Sequence, residues 1–88
     1  MTEMDKLENY LKDQGFQYER IINLCQNQIV VYRNKKRDWD AICQPGSYGY
    51  EQGLLEVMGS RVVRSSDGDS VCGHLTAQQV IDRLEGKV

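Results

Sequence analysis

Arg33, Lys35, Lys36 and Arg37 place four cations between Tyr32 and Trp39, the densest chemistry-bearing run in the chain. A cationic hairpin tip flanked by aromatic rings suits phosphate contact and base stacking, the two halves of nucleic-acid binding. The competing account is solvation: polar hairpins gather lysine and arginine, and lysine discourages sheet edges from pairing with other chains. Trp39 alternates with Ala41 and Cys43, which assigns it to a core rather than to a stacking platform. Eleven Lys and Arg stand against thirteen Asp and Glu, a net charge of −2. General nucleic-acid or membrane binders carry a basic excess instead, so nucleic-acid binding through residues 33–37 is the alternative reading and not the favoured one.

Tyr48, Tyr50 and Glu51 form the second group, on the glycine-rich run from Ser47 to Gly53. Tyrosines on such a loop offer large contact area at low entropic cost, as adhesive protein surfaces do. They read as partner-binding residues, against the plainer account that they fold down over a thin core. Glu51 and Glu56 have acid–base chemistry, but nothing in the sequence orients them. Cys25, Cys43, Cys72 and His74 are zinc-ligand types without the short cysteine spacing of a zinc knuckle, so no metal or cofactor is expected. A nucleophilic cysteine would need His74, the one histidine, plus an orienting carboxylate. No motif surrounds any of them, and a small cysteine or histidine enzyme is the remotest alternative. Gly46-Ser47-Tyr48-Gly49 fits the GxxG pattern but lacks the basic residues of a backbone-clamping loop. Asp67-Gly68-Asp69-Ser70 is calcium-like for too short a stretch and reads as a turn. The expected function is therefore non-catalytic protein binding.

The elements that must position these residues follow from periodicity. Met4, Leu7, Tyr10 and Leu11 recur at helical spacing behind a Thr2 cap, with Gly15 and Phe16 as the stop. Thr76 and Gln79 make a capping box for a second helix whose apolar face is Val80, Ile81 and Leu84, with Leu75 and Val80 as its staple and Gly86 as its end. Between the helices the period is two. Residues 17–25 are expected as a strand with Tyr18, Ile22 and Leu24 on one side, then a turn at Gln26-Asn27. Residues 28–32 and 39–43 are strands around a polar loop, Asn34 to Asp38, and Pro45-Gly46 ends the second. Leu54 to Met58 reads as a strand or one helical turn, the four glycines from Gly46 to Gly59 favouring strand, and Arg61–Arg64 and Ser70–Cys72 read as two short strands around a turn. The sum is one α+β domain over residues 1–88, a mainly antiparallel four- to five-stranded sheet with N-terminal and C-terminal helices packed on it.

A chain of 88 residues supports only a thin core, which a homodimer would reinforce. Met1-Thr2-Glu3-Met4-Asp5 is acidic and lacks the apolar stretch of a signal peptide, and no run is long enough to span a bilayer. An odd count of three cysteines is a poor disulfide framework. A cytoplasmic location with no membrane partner is expected.

Residues 39–59, from Trp39-Asp40-Ala41-Ile42-Cys43 through Tyr48-Gly49-Tyr50-Glu51 to Gly59, together with Gly73-His74-Leu75-Thr76-Ala77, resemble small proteins of prophages and mobile elements in Gram-positive bacteria. The resemblance runs from about residue 28 onward. It implies an accessory role through binding a host or phage protein, and carries no established activity or site residue.

Overall fold

The computed structural model describes residues 1–87. The elements are α1 (Glu3–Asp13), β1 (Gln17–Ile22), β2 (Asn27–Arg33), β3 (Lys36–Ile42), β4 (Leu55–Met58), β5 (Val71–Leu75) and α2 (Ala77–Leu84). The strands lie in chain order and every neighbouring pair is antiparallel, so the sheet is a meander framed by two helices. This is the α+β arrangement that the periodicity predicts.

Both helices start and stop where their local chemistry dictates. The Thr2 hydroxyl accepts the Asp5 N–H at 3.1 Å, and Asp5 returns the bond to the Thr2 N–H. Thr76 and Gln79 make the same exchange at α2. At the end of α1 the Phe16 N–H reaches the Leu11 carbonyl at 2.9 Å while Gly15, at φ 77°, bonds Lys12. That pair of bonds is a Schellman ending. The helices are also tied to each other. Glu3 Oε1 accepts the Ala77 N–H at 2.7 Å, and the Tyr10 hydroxyl donates to Glu85 at 2.9 Å.

Met4, Leu7 and Leu11 of α1 and Ala77 and Val80 of α2 are buried against Ile29, Val31, Trp39, Ala41, Leu55 and Val57 on one face of the sheet. Burial of this apolar surface is the main stabilising contribution. Arg20 of β1 fastens α1 to that face through Glu8 at 2.8 Å and Asp5 at 3.4 Å. The alternate residues point the other way, and there Arg37 pairs with the buried Asp40.

Four local expectations are corrected. The strand expected over 17–25 ends at Ile22, because Asn23 and Gln26 close a turn by main-chain and side-chain bonds at 2.9 and 2.7 Å. The turn therefore precedes Asn27, and Leu24 projects into solvent. The loop expected from Asn34 to Asp38 is a two-residue turn, with Asn34 at φ 54° and Lys35 at φ 65°. Positive φ at both central residues is what a type I′ hairpin requires. Lys36, Arg37 and Asp38 belong to β3, where a register shift after Val31 leaves Asp38 as the extra residue of a bulge. Arg61–Arg64 is not a strand: the Val62 and Val63 N–H groups both turn back to the Gly59 carbonyl, at 3.1 and 2.9 Å, and so are lost to any ladder. Val62 is buried in the core all the same.

Candidate functional site

The meander segregates the two candidate groups to opposite ends of the sheet. Strand β3 leaves the hairpin at Lys36 and ends at Ile42, a span of roughly 20 Å at the strand rise per residue. Beyond Ile42 the chain enters the tyrosine loop. A turn from Gln44 to Ser47 redirects it, with Gly46 at φ 92° and the Ser47 N–H on the Gln44 carbonyl at 2.9 Å. Pro45 before that glycine is the usual sequence of such a turn. The Tyr48 N–H then bonds Glu56 Oε1 at 2.8 Å, and the Tyr48 carbonyl accepts the His74 N–H at 3.3 Å. Glu56 is thereby a loop anchor, apart from the Glu51 with which its chemistry would pair.

Tyr48, Tyr50, Glu51 and His74 line one cleft of about 270 Å³. A second of about 250 Å³, lined by Ile22, Leu24, Cys43 and Pro45, shares Tyr50 as a wall. Leu24 is 100% exposed, Ile22 65%, Tyr48 58% and Tyr50 42%. The sequence pattern placed Ile22 and Leu24 on a strand face and missed them as surface. Their signal was an apolar Leu24 inside the polar, turn-forming run Asn23-Leu24-Cys25-Gln26-Asn27. His74 sits at φ 58°, where β5 carries a residue more than β4 between the Leu55–Leu75 and Val57–Cys72 pairs. Glycine is the ordinary occupant of such a left-handed bulge position.

At the other end, Arg33, Lys35 and Lys36 are exposed and make no ion pair among the described residues, whereas Arg37 is engaged by Asp40. Trp39 is buried in the core and offers no stacking face. Tyr32 does reach the surface. Its hydroxyl donates to Glu19 at 3.2 Å, a bond that, with burial, raises the phenol above its usual pKa. A groove of about 400 Å³ opens beside it, lined by Phe16, Arg33, Asn34 and the Arg61–Asp38 pair.

The remaining candidates are separated or already engaged. Cys25 is exposed on the β1–β2 turn; Cys43 and Cys72 are half-buried, and burial pushes the Cys43 thiol up. No three His, Cys, Asp or Glu side chains among the described residues are disposed to hold a metal. Asp67, from the calcium-like run, accepts two bonds from Arg83 at 2.8 and 3.2 Å and one from the Arg64 N–H. These bonds, the Arg83 guanidinium foremost, lower its carboxyl to about 2. No helix of the described residues is long and apolar enough to cross a membrane. No protein-family model, curated protein or solved structure matches the chain.

Proposed function

We propose that the protein is a non-catalytic binding module that captures a protein partner at the tyrosine end of its sheet. The supporting observation is the gathering of Ile22, Leu24, Tyr48 and Tyr50 there. They are four of the six large apolar side chains exposed among the described residues, and they flank two clefts with a common wall. A contiguous apolar patch on a small chain marks an interaction surface, while scattered exposed apolar residues do not. Residues 22–27 and 43–54 carry one formal charge between them, Glu51. The complementary partner surface is thus apolar, with a basic side chain facing Glu51. The mobile-element setting rests on the resemblance of residues 39–59 and 73–77.

Leu24→Asp is the direct test, because a fully exposed side chain contributes little to folding. Immobilised wild-type and variant chains are challenged with lysate, the captured protein is identified, and its affinity is measured with purified components. The variant is expected to keep the wild-type melting temperature and to lose affinity at least 10-fold, on the order of a central apolar contact. Tyr50→Ala and Glu51→Gln are expected to weaken the same complex. Equal capture by wild type and Leu24→Asp sinks the reading. A second copy of the chain as the captured species would make the module a homodimer.

A further inference from the structure

We propose that the hairpin end carries a separate binding site for single-stranded nucleic acid, formed by a trough along the start of β1 and the end of β2. Two grooves, of about 400 and 510 Å³, meet along Gln17, Tyr32 and Asn34. Both volumes fall within the range of small-ligand sites. The trough offers the three chemistries such a ligand needs. Arg33 and Lys35 on its walls, with Lys36 opposite Arg33 in the hairpin, supply phosphate contacts. Tyr32, common to both grooves, supplies ring surface for bases, while Tyr18 borders the second groove from the helix-bearing face with its hydroxyl on Glu8. The amides of Gln17 and Asn34 supply donors and acceptors for base edges.

Three observations raise this above a solvated charge run. The cations are left free among the described residues while their neighbours are engaged: Arg37 by Asp40, and Arg61 by Asp38 at 2.6 Å. Two carboxylates by the trough are held by cations, Asp38 by Arg61 and Glu8 by Arg20, while Glu19 accepts the Tyr32 hydroxyl and keeps its charge. Finally, Lys35 stands at φ 65°, where glycine would sit without strain. The hairpin tolerates a disfavoured backbone and keeps a cation at its apex. The net charge of −2 does not cancel this local field. The longest axis of the molecule measures 30 Å. Carboxylates at its far end therefore lie beyond the Debye length, about 10 Å at roughly 0.1 M salt. A duplex hides its base faces, and the single strand is the form that Tyr32 can stack on.

The experiment is fluorescence anisotropy of a labelled oligothymidylate of about twelve nucleotides, titrated with the whole chain. With three phosphate contacts, affinity is expected to fall about 20-fold between roughly 50 and 200 mM salt. The Arg33→Ser, Lys35→Ser, Lys36→Ser triple variant is expected to lose both binding and salt dependence. Lys35→Gly relieves the strained turn. It is expected to hold or raise the melting temperature while reducing the salt slope by about 0.7, so weakened binding there is not misfolding. Tyr32→Leu is expected to weaken binding about 5-fold or more with the slope unchanged. Leu24→Asp, at the far end, is expected to bind as wild type does. No anisotropy change at about 50 mM salt, or full binding by the triple variant, overturns the proposal. A duplex bound as tightly as the single strand, with Tyr32→Leu silent, overturns the stacking half and leaves a polyanion contact. Loss of binding in Leu24→Asp overturns the separateness of the two ends.

Discussion

The hairpin end and the tyrosine end are supported by one core but built from opposite materials. The hairpin end is strand carried to its limit: β2 and β3 continue to a two-residue turn, and the ladder fixes Arg33 opposite Lys36. The tyrosine end is loop, residues 43–54 redirected by the Gln44–Ser47 turn and held by bonds between Asn27 and residues 43–44, by the Tyr48 N–H on Glu56 and by the His74 N–H on the Tyr48 carbonyl. One end concentrates cations; the other has the exposed Glu51, with Glu56 tied to the Tyr48 N–H, and displays apolar rings instead. Each nonetheless rests on a close glycine contact and each holds a non-glycine residue in left-handed backbone, Lys35 at one end and His74 at the other. A five-stranded meander thus gives one small chain two chemically independent surfaces, because its turns alternate between the two ends.

The largest expected effects come from the glycines beneath each end. Gly59 is at φ 126°, and a Cβ there would lie 2.6 Å from the Trp39 Cβ and 2.8 Å from its Cα. Gly59→Ala combines a disfavoured backbone with a clash against a buried strand, and is expected to cost about 3 kcal/mol or more in urea unfolding. At Gly73 the added atom would meet the Tyr48 Cβ and, at 3.1 Å, the Tyr48 carbonyl. Relief there requires the loop backbone at Tyr48 to shift, so Gly73→Ala is expected to cost about 1–3 kcal/mol and, by displacing Tyr48, to disturb partner capture as well as folding. Equal losses at the two positions would mean that the tyrosine loop is as rigid as the strand, and would break the contrast.

What was legible in the sequence divides along the same line. The helix caps, the Schellman stop at Gly15 and the β2 strand were readable because each is a local pattern with a local cause. The antiparallel α+β class followed from them, whereas the strand order of the meander did not. The hairpin turn was misread because Lys35 occupies a left-handed position where glycine is the usual signal, which made a two-residue turn look like a five-residue loop. Val62 and Val63 looked like strand because their side chains are apolar, yet their amides are consumed by Gly59. Leu24 looked like part of a strand face for the same reason. Apolar type predicts burial only where an element carries the side chain inward, and the Asn23–Gln26 turn carries it out. The candidate residues Tyr48, Tyr50 and Glu51 were readable by type, but the clefts that join them to His74 and Leu24 depend on long-range register.

A smaller effect belongs to the segment that closes the hairpin end from below. Arg83 of α2 donates to the Val62 carbonyl at 2.7 Å and to both Asp67 oxygens, pinning residues 62–67 against the helix. With its carboxyl at about 2 against an ordinary 3.8, Asp67 stabilises the fold while it is ionised. That contribution is fully present above the ordinary carboxylate value and fades as pH falls from about 4 towards about 2. Glu3, Asp5 and Glu85 are also lowered, by bonds from the Ala77 N–H, from Thr2 and from Lys87 respectively, and add to the same acid loss. Asp67→Asn is expected to lower the melting temperature at pH 6 and to flatten its decline between pH 4 and pH 2. An unchanged decline would mean that the helix-capping carboxylates carry the acid sensitivity and that the Arg83 contact is incidental.

The smallest stability effect separates the two ends most sharply. His74→Gly removes a left-handed β-carbon but loosens the unfolded chain, so the expected net change is between zero and about 1 kcal/mol of added stability. Lys35→Gly is expected to behave alike, and the two gains should add, since the sites lie at opposite ends without a shared partner. Their binding effects should not cross. His74→Gly is expected to weaken partner capture and leave oligonucleotide binding alone; Lys35→Gly is expected to do the reverse. That pattern would show that both strained positions are occupied for what their side chains contact outside the fold. If His74→Gly gains stability and loses no capture, His74 merely fills a bulge, and the tyrosine end is an apolar patch with no polar recognition beyond Glu51.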